Sequence, residues 1–123
     1  MNIGIIGQGY VGTAIKLGFE PHYNVLTYDK FDLSKSTHSK ESDIVEESKV
    51  IFNPEFLTEE NFLEDFKNQK RIILGGDRKG TNKLRQIYSK VFPKATIVKT
   101  GSKTAEMVKY FTNTFLATKV SFA

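Results

Sequence analysis

The sequence predicts an α/β fold with a mainly parallel sheet of about five strands and a long C-terminal helix. Three observations support this prediction. Strand-like and helix-like segments alternate along all 123 residues. A glycine-rich motif directly follows the first predicted strand, and a helical pattern runs from residue 103 to the end of the chain. Because parallel neighbours need a crossover connection, such alternation favours strands running in one direction and joined by helices.

The first part of the chain predicts a strand, a helix and a second strand. Residues 1–6 form a short apolar run with the length of a buried strand. Apolar residues recur every four positions in residues 10–19, which predicts a helix that Pro21 ends. Residues 24–28 are rich in strand-favouring side chains and predict the second strand.

The middle of the chain gives weaker signals. Residues 31–42 are polar and predict a loop or a weak helix, and residues 43–48 predict a short helical turn. A third strand is expected at residues 49–52, before the turn signal Asn53-Pro54.

The following helix is predicted from a capping residue and two acids. Thr58 can cap it, with Glu59 and Glu60 in the first turn, where the helix dipole favours negative charge. Its apolar face would consist of Phe62, Leu63 and Phe66.

The last part of the chain repeats strand and helix. Residues 71–74 predict a strand, and Thr81 is expected to cap a helix that Pro93 closes. Residues 95–99 predict a further strand, and residues 103–123 a long helix.

Composition limits the class of protein. A length of 123 residues predicts a single domain, and 26% charged with 39% hydrophobic residues is ordinary for a soluble globular protein. The net charge is +4, but the lysines are scattered, so we expect no nucleic-acid partner.

No apolar run approaches the roughly 20 residues that span a bilayer, and no basic lead precedes the first apolar run. We therefore expect a cytoplasmic protein without a membrane partner. Two histidines in polar surroundings and no cysteine give no support for a metal site.

Residues 7–12 read Gly-Gln-Gly-Tyr-Val-Gly, a Gly-x-Gly-x-x-Gly motif between a predicted strand and a predicted helix. Gly7 would permit the tight turn, Gly9 would let the backbone approach a pyrophosphate, and Gly12 would let the helix pack closely on the strand. The amides at the helix start would then receive the phosphates. The motif indicates a Rossmann-like domain that binds a dinucleotide.

Asp29 ends the second predicted strand, 22 residues after Gly7, where an acidic residue accepts from the ribose hydroxyls. Its charge would repel a 2′-phosphate, so NAD is favoured over NADP, although Lys30 weakens that preference. The alternative is a glycine-rich turn followed by an ordinary surface aspartate.

Further segments carry a resemblance to a known family. Asn53-Pro54-Glu55-Phe56-Leu57, the run at 71–76 and the helical run at 104–122 follow Gly-Tyr-Val-Gly at 9–12 in the order found in the family. The sequence thus resembles the UDP-glucose 6-dehydrogenases of the UDP-glucose/GDP-mannose dehydrogenase family over nearly its whole length. The resemblance implies oxidation of C6 of a UDP-sugar from alcohol to carboxylate with two NAD.

The resemblance also implies roles for individual residues. Glu55 would handle the water or proton of the hydrolytic step, and Lys109 and Asn113 would hold the reacting oxygen. The implied cofactor-binding residues are Gly7, Gly9, Tyr10, Val11, Gly12, Asp29, Lys35 and Glu59. The implied substrate-binding residues are Glu55, Phe56, Leu57, Thr58, Glu59, Lys109 and Asn113.

The residues themselves leave alternatives open. Lys109 and Asn113 share a helix face and suit a developing oxyanion, but they also fit a solvated edge on which Glu106 pairs with Lys109. Glu55 alone fits a surface carboxylate in a turn. The apolar residues of the last helix fit a core or a homodimer contact, and family members commonly pair through this helix.

The sequence departs from the family in two ways. The family's nucleophilic cysteine lies in a second, sugar-binding domain, and this chain has no cysteine, so the covalent intermediates cannot form on a thiolate. The junction near residues 51–55 looks like an excision of internal strand–helix units. We therefore expect a shortened NAD-binding domain whose residues 103–123 begin the connecting helix, and a chain without the full activity. The alternative is a non-catalytic NAD-binding or dimerising module.

Overall fold

A computed structural model describes residues 2–37 and 51–123, which form two compact units. The first unit contains residues 2–37 together with 57–69. The second contains residues 51–56 and 70–123.

The first unit is a strand–helix–strand arrangement with a further helix. Its elements are β1 (Asn2–Ile6), α1 (Tyr10–Phe19), β2 (Asn24–Tyr28) and α2 (Phe62–Lys67). β1 and β2 are parallel neighbours, with Ile6 opposite Tyr28 at the end of the pair. A short 3₁₀ helix follows β2 at Leu33–Lys35.

Aromatic side chains join α1 to α2 in the core of the first unit. The buried rings of Phe19 and Phe66 lie 6.2 Å apart between centroids. At the other end of the two helices, Tyr10 meets Phe62 edge-on at 6.0 Å. Such pairs add directional attraction to the burial of apolar area. The apolar face predicted for α2 is therefore confirmed, since Phe66 is its buried residue.

The second unit repeats the strand–helix–strand order. Its elements are β3 (Arg71–Gly75), α3 (Arg78–Val91), β4 (Thr96–Thr100) and α4 (Ser102–Phe122). β3 and β4 are parallel, and Phe52 exchanges two backbone hydrogen bonds of 2.7 Å with Gly75 in an antiparallel bridge.

The core of the second unit lies around β3, whose Leu74 is fully buried together with Ala105 of α4. Tyr88 of α3 is also buried, and its hydroxyl donates to Asn53 Oδ1. Asn53 Nδ2 in turn donates to the Ile73 carbonyl at 2.8 Å. Asn53 thereby ties the segment before it to both β3 and α3.

The α/β class, the parallel pairing and the long final helix are confirmed, but the strand count needs correction. The described residues form four strands in two parallel pairs, not five in one sheet. Of the strand expected at 49–52, Phe52 forms only the bridge to Gly75. Residues 49–50, the turn predicted at 43–48 and residues 38–42 lie outside the described residues.

Two predicted helix caps are wrong. α2 begins at Phe62, after Glu59 and Glu60, and the Thr58 amide and hydroxyl both donate to Asp65 Oδ2 instead. α3 is capped not by Thr81 but by Asp77, whose side chain accepts hydrogen bonds from the amides of Lys79 and Gly80. Thr81 is buried and donates to a backbone carbonyl one turn earlier. A short acceptor side chain directly before the first turn reaches these amides, whereas one inside the helix cannot.

None of the helices in residues 2–37 and 51–123 combines the length and the apolar character needed to cross a bilayer.

Candidate functional site: the glycine loop and the Glu55–Lys109 pair

The glycine loop leaves the sheet at the carboxyl end of β1. The Gly7 amide donates to the Tyr28 carbonyl at 2.7 Å, which extends the β1–β2 pairing by one bond. Gly7 has a φ of +89°, a conformation that glycine adopts without strain. A Cβ on Gly12 would lie 1.9 Å from the Gly7 carbonyl oxygen, so α1 approaches the loop as closely as its backbone allows.

The start of α1 differs from the start of α3. Gly9 stands at the N-cap of α1, and no side chain accepts from the first amides of that helix. At α3, Asp77 Oδ1 accepts from the amides of Lys79 and Gly80 at 2.9 and 3.0 Å. A Cβ on Gly9 would meet no described atom within 4 Å. The first turn of α1 is thus suited to an external anion, while a carboxylate of the chain already serves that of α3.

Gln8 lies in the same loop and was not among the predicted site residues. It is 4% exposed, its Nε2 donates to the Gly7 carbonyl at 3.1 Å, and its own carbonyl accepts from Thr13 Oγ1 at 3.2 Å. A buried glutamine inside a glycine motif holds the loop against α1. The variable position of the motif gives no sequence signal for this role.

The Asp29 carboxylate lies at the glycine loop, because Gly7 and Asp29 follow neighbouring parallel strands. Its Oδ2 accepts from the Gln8 amide at 2.6 Å, and its Oδ1 accepts from the amides of Phe31 and Asp32 at 2.9 and 3.0 Å. The hydrogen bond from the Gln8 amide has the largest effect and, with the other two, lowers the pKa of Asp29 below its ordinary value. The Lys35 ammonium lowers this pKa further. The carboxylate is therefore ionised at neutral pH.

The segment after Asp29 is pinned to β2 by side chains. The Asp29 amide donates to Ser36 Oγ at 2.8 Å, and the buried Thr27 hydroxyl donates to the Lys35 carbonyl at 2.8 Å. The Lys35 ammonium lies 3.1 Å from Asp32 Oδ2 and is largely exposed. Lys35, a predicted cofactor-binding residue, thus lies in the same loop as Asp29, and its ammonium forms an ion pair with Asp32.

The residues predicted to meet the substrate divide between the two units. Leu57, Thr58 and Glu59 belong to the first unit, where Thr58 bonds to Asp65 and lowers the pKa of its carboxyl, and Glu59 is exposed in a turn. The other predicted substrate residues belong to the second unit, namely Glu55, Phe56, Lys109 and Asn113.

Glu55 and Lys109 form an ion pair in the second unit. The Lys109 ammonium lies 3.0 Å from Glu55 Oε1, donates also to the Glu55 backbone carbonyl, and sits 5.3 Å from the centroid of the Phe56 ring. The two charged side chains are 25% and 33% exposed, so the pair is partly shielded from water. Lys109 therefore pairs with Glu55, and the alternative in which Glu106 serves as its partner is wrong. Asn113 is exposed one turn further along α4.

Geometry defines the class of domain first. A parallel strand pair, an uncapped glycine turn that opens a helix, and an ionised carboxylate at that turn are the parts of a dinucleotide-binding α/β domain. The residues present fit such a ligand, since Gly12 permits the close approach, Gly9 leaves open space and the α1 amides carry no side-chain cap.

A family profile described as the NAD binding domain of the UDP-glucose/GDP-mannose dehydrogenase family matches residues 24–92, more than half of the chain. The chain belongs to this family. Its cofactor class is accordingly NAD, as the loop and Asp29 predicted.

Individual relatives agree with the family. A UDP-glucose 6-dehydrogenase of Rickettsia bellii is 45% identical over 75 residues, which cover 59% of this chain and 17% of the relative. A UDP-glucose 6-dehydrogenase of Bacillus subtilis is 38% identical over 74 residues, 59% of this chain and 16% of the relative. The matched segment thus spans about one sixth of the length of these relatives.

Solved structures support the fold. A UDP-glucose dehydrogenase from Pyrobaculum islandicum superposes with a TM-score of 0.80 at 21% identity, covering 98% of this chain and 51% of that one. A GDP-mannose dehydrogenase from Pseudomonas aeruginosa gives a TM-score of 0.55 at 23% identity, covering 89% of this chain and 28% of that one.

Proposed function

We propose that this chain binds NAD through its first unit, as the cofactor-binding part of an enzyme that oxidises UDP-glucose at C6 to UDP-glucuronate. The position of the Asp29 carboxylate at the glycine loop, 2.6 Å from the Gln8 amide, carries the proposal. An acceptor fixed there suits the ribose hydroxyls next to a pyrophosphate held by α1.

The loop residues would hold the cofactor through their backbone. The amides that open α1 at Tyr10 and Val11 would donate to the pyrophosphate, and Gly7, Gly9 and Gly12 would keep the approach clear. Lys35 and Glu59 would complete the cofactor contacts. NAD, when bound, supplies the hydride acceptor for the oxidation.

The second unit would contribute to the sugar chemistry. Lys109, held by Glu55, would place a positive charge at the oxygen on C6, and Asn113 would add a hydrogen-bond donor one turn away. Glu55 would accept or return a proton in the hydrolytic step. Phe56, Leu57, Thr58 and Glu59 would line the path of the UDP-sugar.

The test is calorimetric titration of the chain with NAD and, separately, NADP. We expect NAD to bind and NADP to bind at least about tenfold more weakly, because the Asp29 charge opposes a 2′-phosphate. Asp29→Asn should weaken NAD and narrow the gap between the two cofactors. The proposal fails if NAD gives no saturable heat, or if Asp29→Asn leaves both affinities unchanged.

A second candidate is a dimerising module, which the exposure of α4 favours. Its Met107, Phe111 and Phe115 are 64%, 71% and 60% exposed within this chain. Large apolar side chains that share a helix face in this way are typical of a contact surface. We propose that a second copy of the chain pairs with this face.

A further inference from the structure

Phe31 is an aromatic side chain with no place in the core. It is 95% exposed, although it lies in a polar loop next to the candidate cofactor site. Its backbone is fixed, because the Phe31 amide donates to Asp29 Oδ1 and the neighbouring Asp32 amide donates to the same oxygen. The Phe31 backbone, from which the ring projects, is thereby held next to the Asp29 carboxylate that is proposed to bind ribose.

We propose that Phe31 is the stacking platform for the adenine ring of the dinucleotide. The inference rests on the proposed NAD binding. Adenine is attached to C1′ of the ribose whose hydroxyls would face Asp29, so the base must lie within a few ångströms of that carboxylate. A flat apolar ring two residues along the chain suits a purine face, and stacking needs no hydrogen-bond partner.

Leu33 provides the matched comparison. It is the other large apolar residue of this loop and is 61% exposed. It follows Asp32, whose side chain accepts from the Ser34 amide at 3.2 Å at the start of the 3₁₀ helix. A general need for apolar surface in this loop would involve both residues, whereas stacking on adenine requires a ring and therefore Phe31.

The experiment compares wild type, Phe31→Ala, Phe31→Tyr and Leu33→Ala by calorimetry with NAD, AMP and nicotinamide mononucleotide. We expect Phe31→Ala to weaken NAD and AMP by about tenfold, in line with alanine substitutions of stacked aromatics. Phe31→Tyr should retain the affinity, Leu33→Ala should match wild type, and nicotinamide mononucleotide should not respond to Phe31→Ala. Melting temperatures should agree across the set, because both side chains are exposed.

The possible failures are distinguishable. If wild type does not bind NAD, the proposed function itself is wrong. If wild type binds and Asp29→Asn weakens binding while Phe31→Ala does not, only the stacking role is overturned. Equal losses in Phe31→Ala and Leu33→Ala would likewise overturn it, since they would indicate a disturbed loop instead of a missing ring.

Discussion

Residues of the glycine loop at positions 7–12, together with Asp29, fix the shape of the turn and also leave space beside it for a ligand. Asp29 accepts from the Gln8 amide and so fixes the loop against β2, while its charge remains available beside the turn. Gly12 has no room for a side chain, whereas Gly9 has open space. Structural and ligand-related constraints therefore fall on different members of one motif and can be separated by substitution.

The first prediction concerns the pH dependence of stability. Because folding lowers the pKa of Asp29, the carboxylate contributes to stability above the ordinary pKa of an aspartate, and this contribution is lost as pH falls through the lower folded pKa. Thermal melting of wild type and Asp29→Asn between pH 2 and pH 7 measures the contribution of the Asp29 carboxylate to stability. The stability advantage of wild type should hold above about pH 4 and shrink below it. A difference that does not change with pH would contradict this assignment.

The second prediction separates Gly9 from Gly12. Gly9→Ser should leave the melting temperature unchanged or slightly raised, because serine is a favoured N-cap, and should weaken NAD by about tenfold or more. Gly12→Ala should destabilise the fold by roughly 1–3 kcal/mol, because its Cβ meets the Gly7 carbonyl. Thermal melts and NAD titration of both variants decide the matter. Equal melting temperatures for the two would disprove the division of roles.

Elements in the two units use the same strand–helix–strand order with different helix starts. α1 opens without a side-chain cap, while Asp77 caps α3. The Asp77 carboxylate occupies the amides that an anion would need, so the second unit keeps the order of elements without the open turn. Asn53 and Tyr88 add a partly buried polar link between β3 and α3, and burial raises the pKa of the Tyr88 hydroxyl.

The third prediction tests the cap of α3. Asp77→Ala should lower the free energy of unfolding by about 1 kcal/mol, because the amides of Lys79 and Gly80 lose their acceptor. Asp77→Ser, which keeps a capping oxygen, should recover most of the loss. Urea unfolding of the three proteins measures the difference. NAD affinity should be the same in all three, and a loss of binding in Asp77→Ala alone would place the cofactor contacts at α3.

The first unit contains the glycine loop, and the second contains the Glu55–Lys109 ion pair and the exposed apolar side chains of α4. The Glu55–Lys109 pair joins groups 54 residues apart and holds the ammonium near Phe56. The chain contains no cysteine. Purified chain with UDP-glucose and NAD should therefore form no UDP-glucuronate in a chromatographic product assay, since the covalent intermediates on the way from aldehyde to carboxylate require a thiolate.

The fourth prediction concerns self-association through α4. The wild-type chain should dimerise in sedimentation equilibrium, and Phe111→Glu should weaken the dimer by about tenfold or more, because a charge would be buried in an apolar contact. Ala117→Glu adds the same charge to another side of the helix and should leave the dimer intact. A monomer at all concentrations, or equal effects of both variants, would rule out this face.

Local patterns predicted most elements to within a residue or two. Four-residue apolar spacing gave α1, and the apolar run before Gly75 gave β3, because periodicity and turn residues act over short stretches. The cap predicted at Thr58 was wrong because α2 begins only at Phe62, and the cap predicted at Thr81 was wrong because Thr81 lies inside α3. Asp65 bonds Thr58, and Asp77 lies nearer the first turn of α3.

The sequence by itself determined the α/β class, the glycine turn and the acid that follows it, since these depend on neighbouring residues and on strands that end at one edge. Tertiary structure alone decided that Glu55 meets Lys109, that Gln8 is buried inside the loop, and that the strands pair two by two. Those outcomes depend on packing between segments far apart in the chain. Local residue spacing does not encode which distant segment will bury a side chain or supply its opposite charge.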